Sequence, residues 1–318
     1  MELRRLRLLL ELSRRGTLAA VADTLAYSPS SISVQLAELE REVGVKLLRR
    51  VGRNVQLTPA GWRLAEYAEQ ALAADEAILT ELAGLGGTPR GQVRVTFVQT
   101  SALALLPHAL GTLADQAPDL RIEVFQRETR PALEELRSRA VDLVLGIDYD
   151  PAPVARHRDV DRVDLIRERV LMAVPAQDPL AADGGPISLA SVEHAVWAAG
   201  HQGTGHAAAV ETLCNGIGGY APDIRHRTDD ALILRALVSS GQVVTLLPAL
   251  IATATERVAV RPVADAEVQR TIFTAVRATA AGLPAIVLVR AALRAAAHAA
   301  VAGRDDVTVI PESPAPPG

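Results

Sequence analysis

Two groups of residues have types and spacings that could do chemistry. The first is Ser28, Pro29, Ser30, Ser31, Ser33 and Val34, followed by Arg49, Arg50 and Arg53. On a helical wheel, Leu36, Leu39 and Val43 fall within about 40° of Ile32, which makes a buried stripe. Ser30, Val34, Ala37 and Arg41 lie opposite, with Ser33 on the flank. A surface of small hydroxyls and one valine lets a helix approach DNA closely. The hydroxyls can bond bases or phosphates, and Val34 can touch a thymine methyl. A three-helix protein-docking module would show the same wheel. The arginines after the helix, set around Gly52 where a wing should be, favour DNA over that alternative and over a merely solvated charge run.

The second group lies further along. Gln99, Thr100 and Ser101 follow a short apolar strand and open a helix, so hydroxyls and free N–H groups converge there. Glu128, Thr129 and Arg130 stand at the next strand-to-helix junction. His201, Gln202 and Thr204 belong to the Gly-rich segment 200–205, and Thr245 follows Gly241. This is the chemistry of a binding site for a small anion, although helix capping would account for the same threonines and serines. No Ser–His–Asp spacing, P-loop, HExxH or paired carboxylates in a Gly-rich loop point to an enzyme. His201 and His206 lack a third ligand at a sensible spacing, so no metal and no cofactor is expected. Cys214 reads as a buried helix residue rather than a redox sensor.

The elements that must position these groups follow from periodicity and caps. A helix over about 2–15 stops at Gly16, and Thr17 caps a second ending near Leu25. Ser28-Pro29 caps a third that ends at Gly44. This is a winged helix-turn-helix over 1–58. Thr58-Pro59 repeats the device and starts a long helix to about Leu85. Its stripe of Leu64, Ala68, Ala71, Ile78, Leu82 and Leu85 is expected to pair with a second subunit, with packing on its own body the alternative. A linker and hinge thus occupy 59–90. From 91 to 302 strands and helices alternate, which argues a parallel α/β sheet in two lobes, lobe I over about 91–163 and 268–302 and lobe II over about 164–267. Ligands bind between such lobes, where helix N-termini point into the cleft. The tail 303–318 reads as disordered.

Bulk composition agrees. The chain has 318 residues, 49% of them hydrophobic but only 3% aromatic, so its cores are Ala, Val and Leu packing. Residues 1–63 hold eleven basic against six acidic side chains, a net of +5, which leaves −9 for the remainder of a chain of net charge −4. A basic head on an acidic body suits phosphate binding by the head alone. The early apolar run is too short and too charged for a signal peptide or a membrane span, so a cytoplasmic protein without membrane contact is expected.

The motifs SPSSISVQL (28–36), LEREVGVKLLRR (39–50) and LTPAG (57–61) resemble the LysR-type transcriptional regulators. The resemblance covers essentially the whole chain, specifically in the head and generically in the body. It implies a winged helix-turn-helix, a linker helix, and a two-lobed periplasmic-binding-protein-like effector domain. It also implies double-stranded operator DNA and a small-molecule effector as partners, assembly as a dimer or a dimer of dimers, and RNA polymerase as a further candidate partner. The chain departs from the family pattern with Pro29, with Val34 in place of a basic residue, and with Arg139 in place of a glycine, a change expected to be harmless. An enzyme or solute-binding protein with an appended helix-turn-helix is the competing reading. The first lacks a catalytic constellation and the second an export signal.

Overall fold

The structure, a computed structural model, describes residues 1–25, 27–51, 54–84 and 89–311. The head opens with α1 (Leu3–Arg15), which ends at Gly16 with φ 76°. Thr17 Oγ1 accepts from the Ala20 N–H at 3.2 Å and caps α2 (Leu18–Leu25). Ser28 accepts from the Ser31 N–H at 3.2 Å and Pro29 occupies the first position of α3 (Pro29–Val43). Leu6, Leu9, Leu12, Val21, Ile32, Leu36 and Leu39 are buried between the three helices. Strands β1 (Leu48–Val51) and β2 (Asn54–Leu57) pair antiparallel as the wing.

Glu40 explains the acidic residue that follows Leu39. Its Oε1 accepts the Leu47 and Leu48 N–H groups at 2.9 and 3.0 Å, and its Oε2 meets Lys46 Nζ at 2.8 Å. Burial opposes its ionisation, but the Lys46 bond and the two backbone donors hold the carboxyl below its ordinary value. One side chain therefore pins the wing to α3. Gly61 has an equally local reason: a Cβ there would collide with the Leu47 carbonyl oxygen.

The linker helix α4 (Pro59–Gly84) splits its faces. Ala65, Ala68 and Leu72 are buried in the head core, and Glu76 is buried against the body. Trp62, Ile78, Leu79 and Leu82 remain about half exposed. The expected stripe is thus divided: Ala68 is consumed by the chain's own head, while Ile78 and Leu82 stay open. Leu85 lies outside the described residues.

The body is built on β3 (Gly91–Phe97), α5 (Gln99–Gln116), β4 (Leu120–Gln126), α6 (Thr129–Arg137) and β5 (Leu143–Tyr149). β3 runs parallel to both β4 and β5. The chain then crosses on β6 (Val160–Pro175), and the second half contains α7 (Pro179–Ala182), β7 (Val196–Ala199), α8 (Gly205–Leu213), β8 (Asp223–Arg227), α9 (Ala231–Ser239), β9 (Thr245–Pro248) and β10 (Val258–Arg261). It returns through β11 (Gln269–Arg277), α10 (Pro284–Val301) and β12 (Val307–Val309). The large sheet has the order β10-β6-β11-β5-β3-β4, with β9 and β12 also on β6.

Two expectations, the parallel sheet and the disordered tail, change here. The sheet is mixed rather than parallel, because β11 re-enters from the other lobe and pairs antiparallel with β5 and β6. The crossing strand begins at Val160; its first part pairs with β11 up to Arg169 and its remainder with β9 and β10. The tail is ordered as far as β12, which pairs with β6, and the Ile310 N–H donates to the Leu165 carbonyl at 2.9 Å. Alternating Val307 and Val309 supply the short apolar edge that composition alone concealed. Residues 312–318 lie outside the described residues.

Candidate functional site

On the head, Ser28, Pro29, Ser30, Ser33 and Val34 are exposed and Ser31 is half-buried. Ser28 and Ser30 hydroxyls lie 3.0 Å apart, and Val34 is 57% exposed, an apolar side chain open to a partner's surface. Arg49 and Arg50 extend from the wing, with Arg49 Nη2 donating to Gln56 Oε1 at 3.2 Å. Thr17 is half-buried with its hydroxyl engaged as a cap. Arg53 lies outside the described residues.

In the body, a cavity of about 280 Å³ lies between the lobes, lined by Glu128, Thr129 and Arg130 on one side and by Gln202 and Thr204 on the other, over Ile147 and Tyr149. The N-termini of α6 and α8 thus face one space from opposite lobes, and their first-turn N–H groups have no intrahelical partners. Thr129 lines the cavity, but its hydroxyl donates to the Ile147 carbonyl at 3.1 Å and accepts the Ile147 N–H at 3.0 Å. His201 is mostly exposed and paired through Nδ1 with Asp229 at 2.8 Å. Gln99 bridges the lobes, its Oε1 accepting the Ala231 N–H at the start of α9 at 2.8 Å.

Three of the residues expected to contact the ligand have their hydroxyls engaged within the protein. Ser101 is fully buried and donates to the Val98 carbonyl at 2.8 Å. Thr245 is fully buried and donates to the Ala198 carbonyl at 2.7 Å. Thr100 is buried, with its hydroxyl accepting from Arg270 at 2.8 Å. In each case the hydroxyl serves a buried backbone or charge, which is what burial of a polar group demands.

Behind the cavity sits a charged network that local pattern did not reveal. Arg270 and Glu168 are buried together, 1% and 0% exposed, at 2.7 Å. Arg270 also donates to Tyr149 Oη at 3.3 Å, and Glu168 accepts the Leu250 N–H at 2.8 Å. His206 is half-buried against Tyr149, edge to face. Its Nδ1 accepts the Gly200 N–H at 3.0 Å and its Nε2 lies 2.9 Å from the Leu246 carbonyl. Burial holds this imidazole below its ordinary pKa although the Leu246 carbonyl favours its charged form, so it is the neutral tautomer that donates from Nε2. A sequence signal existed: at a period of two, Glu168 falls between Ile166 and Val170 and Arg270 between Val268 and Ile272, so each interrupts an apolar face and requires a partner.

The far end of α6 is held by the head. Arg14 Nη1 donates to the Arg137 carbonyl at 3.0 Å, and Arg7 donates to the Ser138 carbonyl. From β11, Arg277 donates to the Leu136 and Val141 carbonyls at 3.1 and 2.8 Å. Arg139 is not the harmless departure expected. It takes a left-handed φ of 62°, at a cost of roughly 1 kcal/mol, and reaches α4 through the Leu72 carbonyl and Glu76, both at 2.8 Å. α6 therefore lines the cleft at one end and meets α1 at the other.

A DNA-reading head on a two-lobed ligand-binding body defines the class as a ligand-responsive DNA-binding regulator. The chain belongs to the LysR family: residues 3–62 match the bacterial regulatory helix-turn-helix protein family of lysR type, and residues 86–298 match the LysR substrate binding domain. It is 30% identical over 276 residues to the transcriptional dual regulator GltC of Bacillus subtilis, covering 86% of this chain and 89% of that one. It is 30% identical over 182 residues to the regulator BenM of Acinetobacter baylyi, 57% of each chain. Among solved structures, a full-length point variant of OxyR from Pseudomonas aeruginosa matches with a TM-score of 0.61 at 25% identity, covering 92% and 95% of the two chains. CbnR complexed with its target DNA shares the fold with a TM-score of 0.52 at 23% identity, covering 93% of this chain and 100% of that one. The protein is a transcriptional regulator whose DNA binding is modulated by a small-molecule effector.

Proposed function

We propose that this regulator reads its operator with Ser28, Pro29, Ser30, Ser31, Ser33 and Val34, holds phosphates with Thr17, Arg49, Arg50 and Arg53, and takes its effector in the cavity between α6 and α8. The head is assigned to 1–58, the linker to 59–90 and the sensor body to the remainder of the fold. It acts in the cytoplasm, without enzymatic activity, as a homodimer or dimer of dimers; the half-exposed Ile78, Leu79 and Leu82 on α4 support a second subunit there. RNA polymerase contact belongs to the same reading. The observation that carries the effector assignment is the convergence of two helix N-termini from opposite lobes on one cavity.

That geometry suits a ligand with an anionic group, engaged by backbone N–H groups together with Arg130, Gln202 and Thr204. Glu128 shapes the choice further. Burial, then the Asp229 carboxylate, raise its carboxyl to about 7, with Arg270 and His201 opposing. Protonated, it donates a hydrogen bond to an anionic oxygen; ionised, it repels one. Affinity for an anionic effector is accordingly expected to be greatest below about pH 7 and to fall as the pH rises through that value. Calorimetric titration across the range from about one unit below that value to one unit above tests this, and a Glu128→Gln protein should show a flat profile. An unchanged profile in that variant would remove Glu128 from the site.

Operator reading is tested by binding to a panel of DNA sequences at several salt concentrations. Ser33→Arg is expected to change which sequence binds best. R49A/R50A should weaken all sequences alike and reduce the slope of log affinity against log salt by about 0.9 for each phosphate no longer neutralised. Equal losses on every sequence from both proteins would refute the division between base-reading and phosphate-holding residues.

A further inference from the structure

A second cavity, of about 510 Å³, lies where the head meets the body, and four of its lining side chains are Arg4, Arg7, Arg94 and Arg139, against the carboxylate of Asp75. Two of these arginines are already committed. Arg94 holds Asp142 at 3.0 Å, and Arg139 holds Glu76 at 2.8 Å. Arg4 lies over the Tyr27 ring with its guanidinium carbon 5.0 Å from the centroid, an arrangement that leaves its N–H edges for another acceptor. Arg7 is the least compensated. One of its terminal nitrogens donates to the Ser138 carbonyl, but its buried Nε has no hydrogen-bond partner among the described residues.

We propose that this head–body cavity binds a phosphate group, either inorganic phosphate or the monoester of a small metabolite, with Arg7 and Arg4 as its principal ligands. A compact dianion supplies what the site lacks: acceptor oxygens for a buried N–H donor and negative charge among converging guanidinium groups. Burial first, and then repulsion from Arg139, Arg94 and Arg277 against the attraction of Glu11, hold the Arg7 guanidinium below its ordinary value, so a bound anion relieves a standing electrostatic cost. The apolar Leu3, Leu25 and Leu72 in the same wall leave room for the carbon skeleton of an ester. Because the cavity is walled by α1 and α2 of the head and by residues 139 and 140 of the body, the anion ties the two together and restricts how the heads can be placed on DNA. This site is separate from the inter-lobe cleft and stands whatever ligand that cleft takes.

The test is titration of full-length protein with inorganic phosphate and, separately, glycerol 3-phosphate, at constant ionic strength set with sodium chloride. The readouts are calorimetry and melting temperature. Saturable binding is expected in the wild type and in R49A/R50A, with affinity at least tenfold weaker in Arg7→Gln and several-fold weaker in Arg4→Gln. Arg4 is exposed, so its variant keeps the test valid if the Arg7 protein folds poorly. Tighter binding of the ester identifies a metabolite as the natural source, and equal binding identifies inorganic phosphate. The proposal is overturned if stabilisation rises linearly without saturation and equally in all variants, which is the signature of excluded salts. It is also overturned if R49A/R50A abolishes the binding, or if Arg7→Gln weakens DNA binding in phosphate-free buffer as much as R49A/R50A does, since the arginines would then belong to the DNA face.

Discussion

Arg270→Met is expected to destabilise the body by about 3–5 kcal/mol, the typical loss when one member of a buried ion pair is removed. Glu168 is fully buried beside it, and without the guanidinium its remaining polar partner among the described residues is the Leu250 N–H. The carboxylate must then either stay charged in an apolar surround or take up a proton, and both are costly. The damage extends to the cleft, because Arg270 also holds the Thr100 and Tyr149 hydroxyls at its back. Denaturant titration of the single variant should show the loss in the midpoint, together with a weakened response to effector. Arg270→Met/Glu168→Leu should recover most of the stability, since two well-packed apolar side chains replace the pair without leaving a charge behind. Recovery of stability without recovery of the effector response would separate the pair's structural part from its part in shaping the cleft. An Arg270→Met protein as stable as the wild type would show that the pair is not buried in solution.

The contrast between the head and the body explains what the sequence made legible. In the head, each cue is local. Ser28-Pro29 caps one helix and Thr58-Pro59 the next, Gly16 and Gly44 take positive φ at helix ends, and a 3.6-residue stripe selects Ile32, Leu36 and Leu39 for burial. Such signals act within a few residues, so they can be read without knowing what lies elsewhere. The cleft is assembled by β6 and β11, whose partners are about a hundred positions apart in the chain. Local pattern placed Thr129, Arg130, Gln202 and Thr204 at strand-to-helix junctions, and they line one cavity. It could not distinguish them from Ser101, at a similar junction, or from Thr245, at the start of β9, both of which have their hydroxyls turned into the core. That difference depends on which face of the sheet meets the other lobe, a tertiary property. The same holds for Arg139, whose left-handed backbone and reach to α4 are invisible to a reading of neighbouring residues.

α6 gives this arrangement a functional direction. It is nine residues long, short and stiff, with its first turn in the cleft and its last carbonyls held by Arg14, Arg7 and Arg277. A ligand that shifts the first turn cannot leave the last one unmoved, because a helix of this length transmits displacement along its axis. The head is then displaced relative to the body by an event in the cleft, and the free energy available for that coupling is the difference in ligand affinity between the two arrangements.

Glu76→Ala should break this connection, with a loss of about 3 kcal/mol in stability and a larger proportional loss in coupling. Glu76 is a buried carboxylate of α4 that faces the body. It pairs with Arg277 at 2.7 Å and with Arg139 at 2.8 Å, and accepts from the Thr279 hydroxyl. Arg277 is nearly buried and, among the described residues, keeps Asp142 at 3.6 Å as its second acidic partner, so removing Glu76 leaves its charge poorly compensated. Arg139 is more exposed and contributes less, although its strained backbone then loses the Glu76 ion pair that offsets it. Burial opposes ionisation of Glu76, but Arg277, Thr279 and Arg139 outweigh it and hold the carboxyl below its ordinary value. The sign of the pH dependence follows. The stabilisation is fully present above the unfolded carboxyl pKa, about 4.3, and is lost as the pH falls through the lower folded value. Wild-type protein should therefore lose head–body protection against hydrogen exchange in acid, and Glu76→Ala should show that loss already at neutral pH. Glu76→Gln, which keeps hydrogen-bonding atoms but not the charge, should fall between them. If effector still altered DNA affinity by the wild-type factor in Glu76→Ala, the signal would have to pass through α1 and the α6 carbonyls alone.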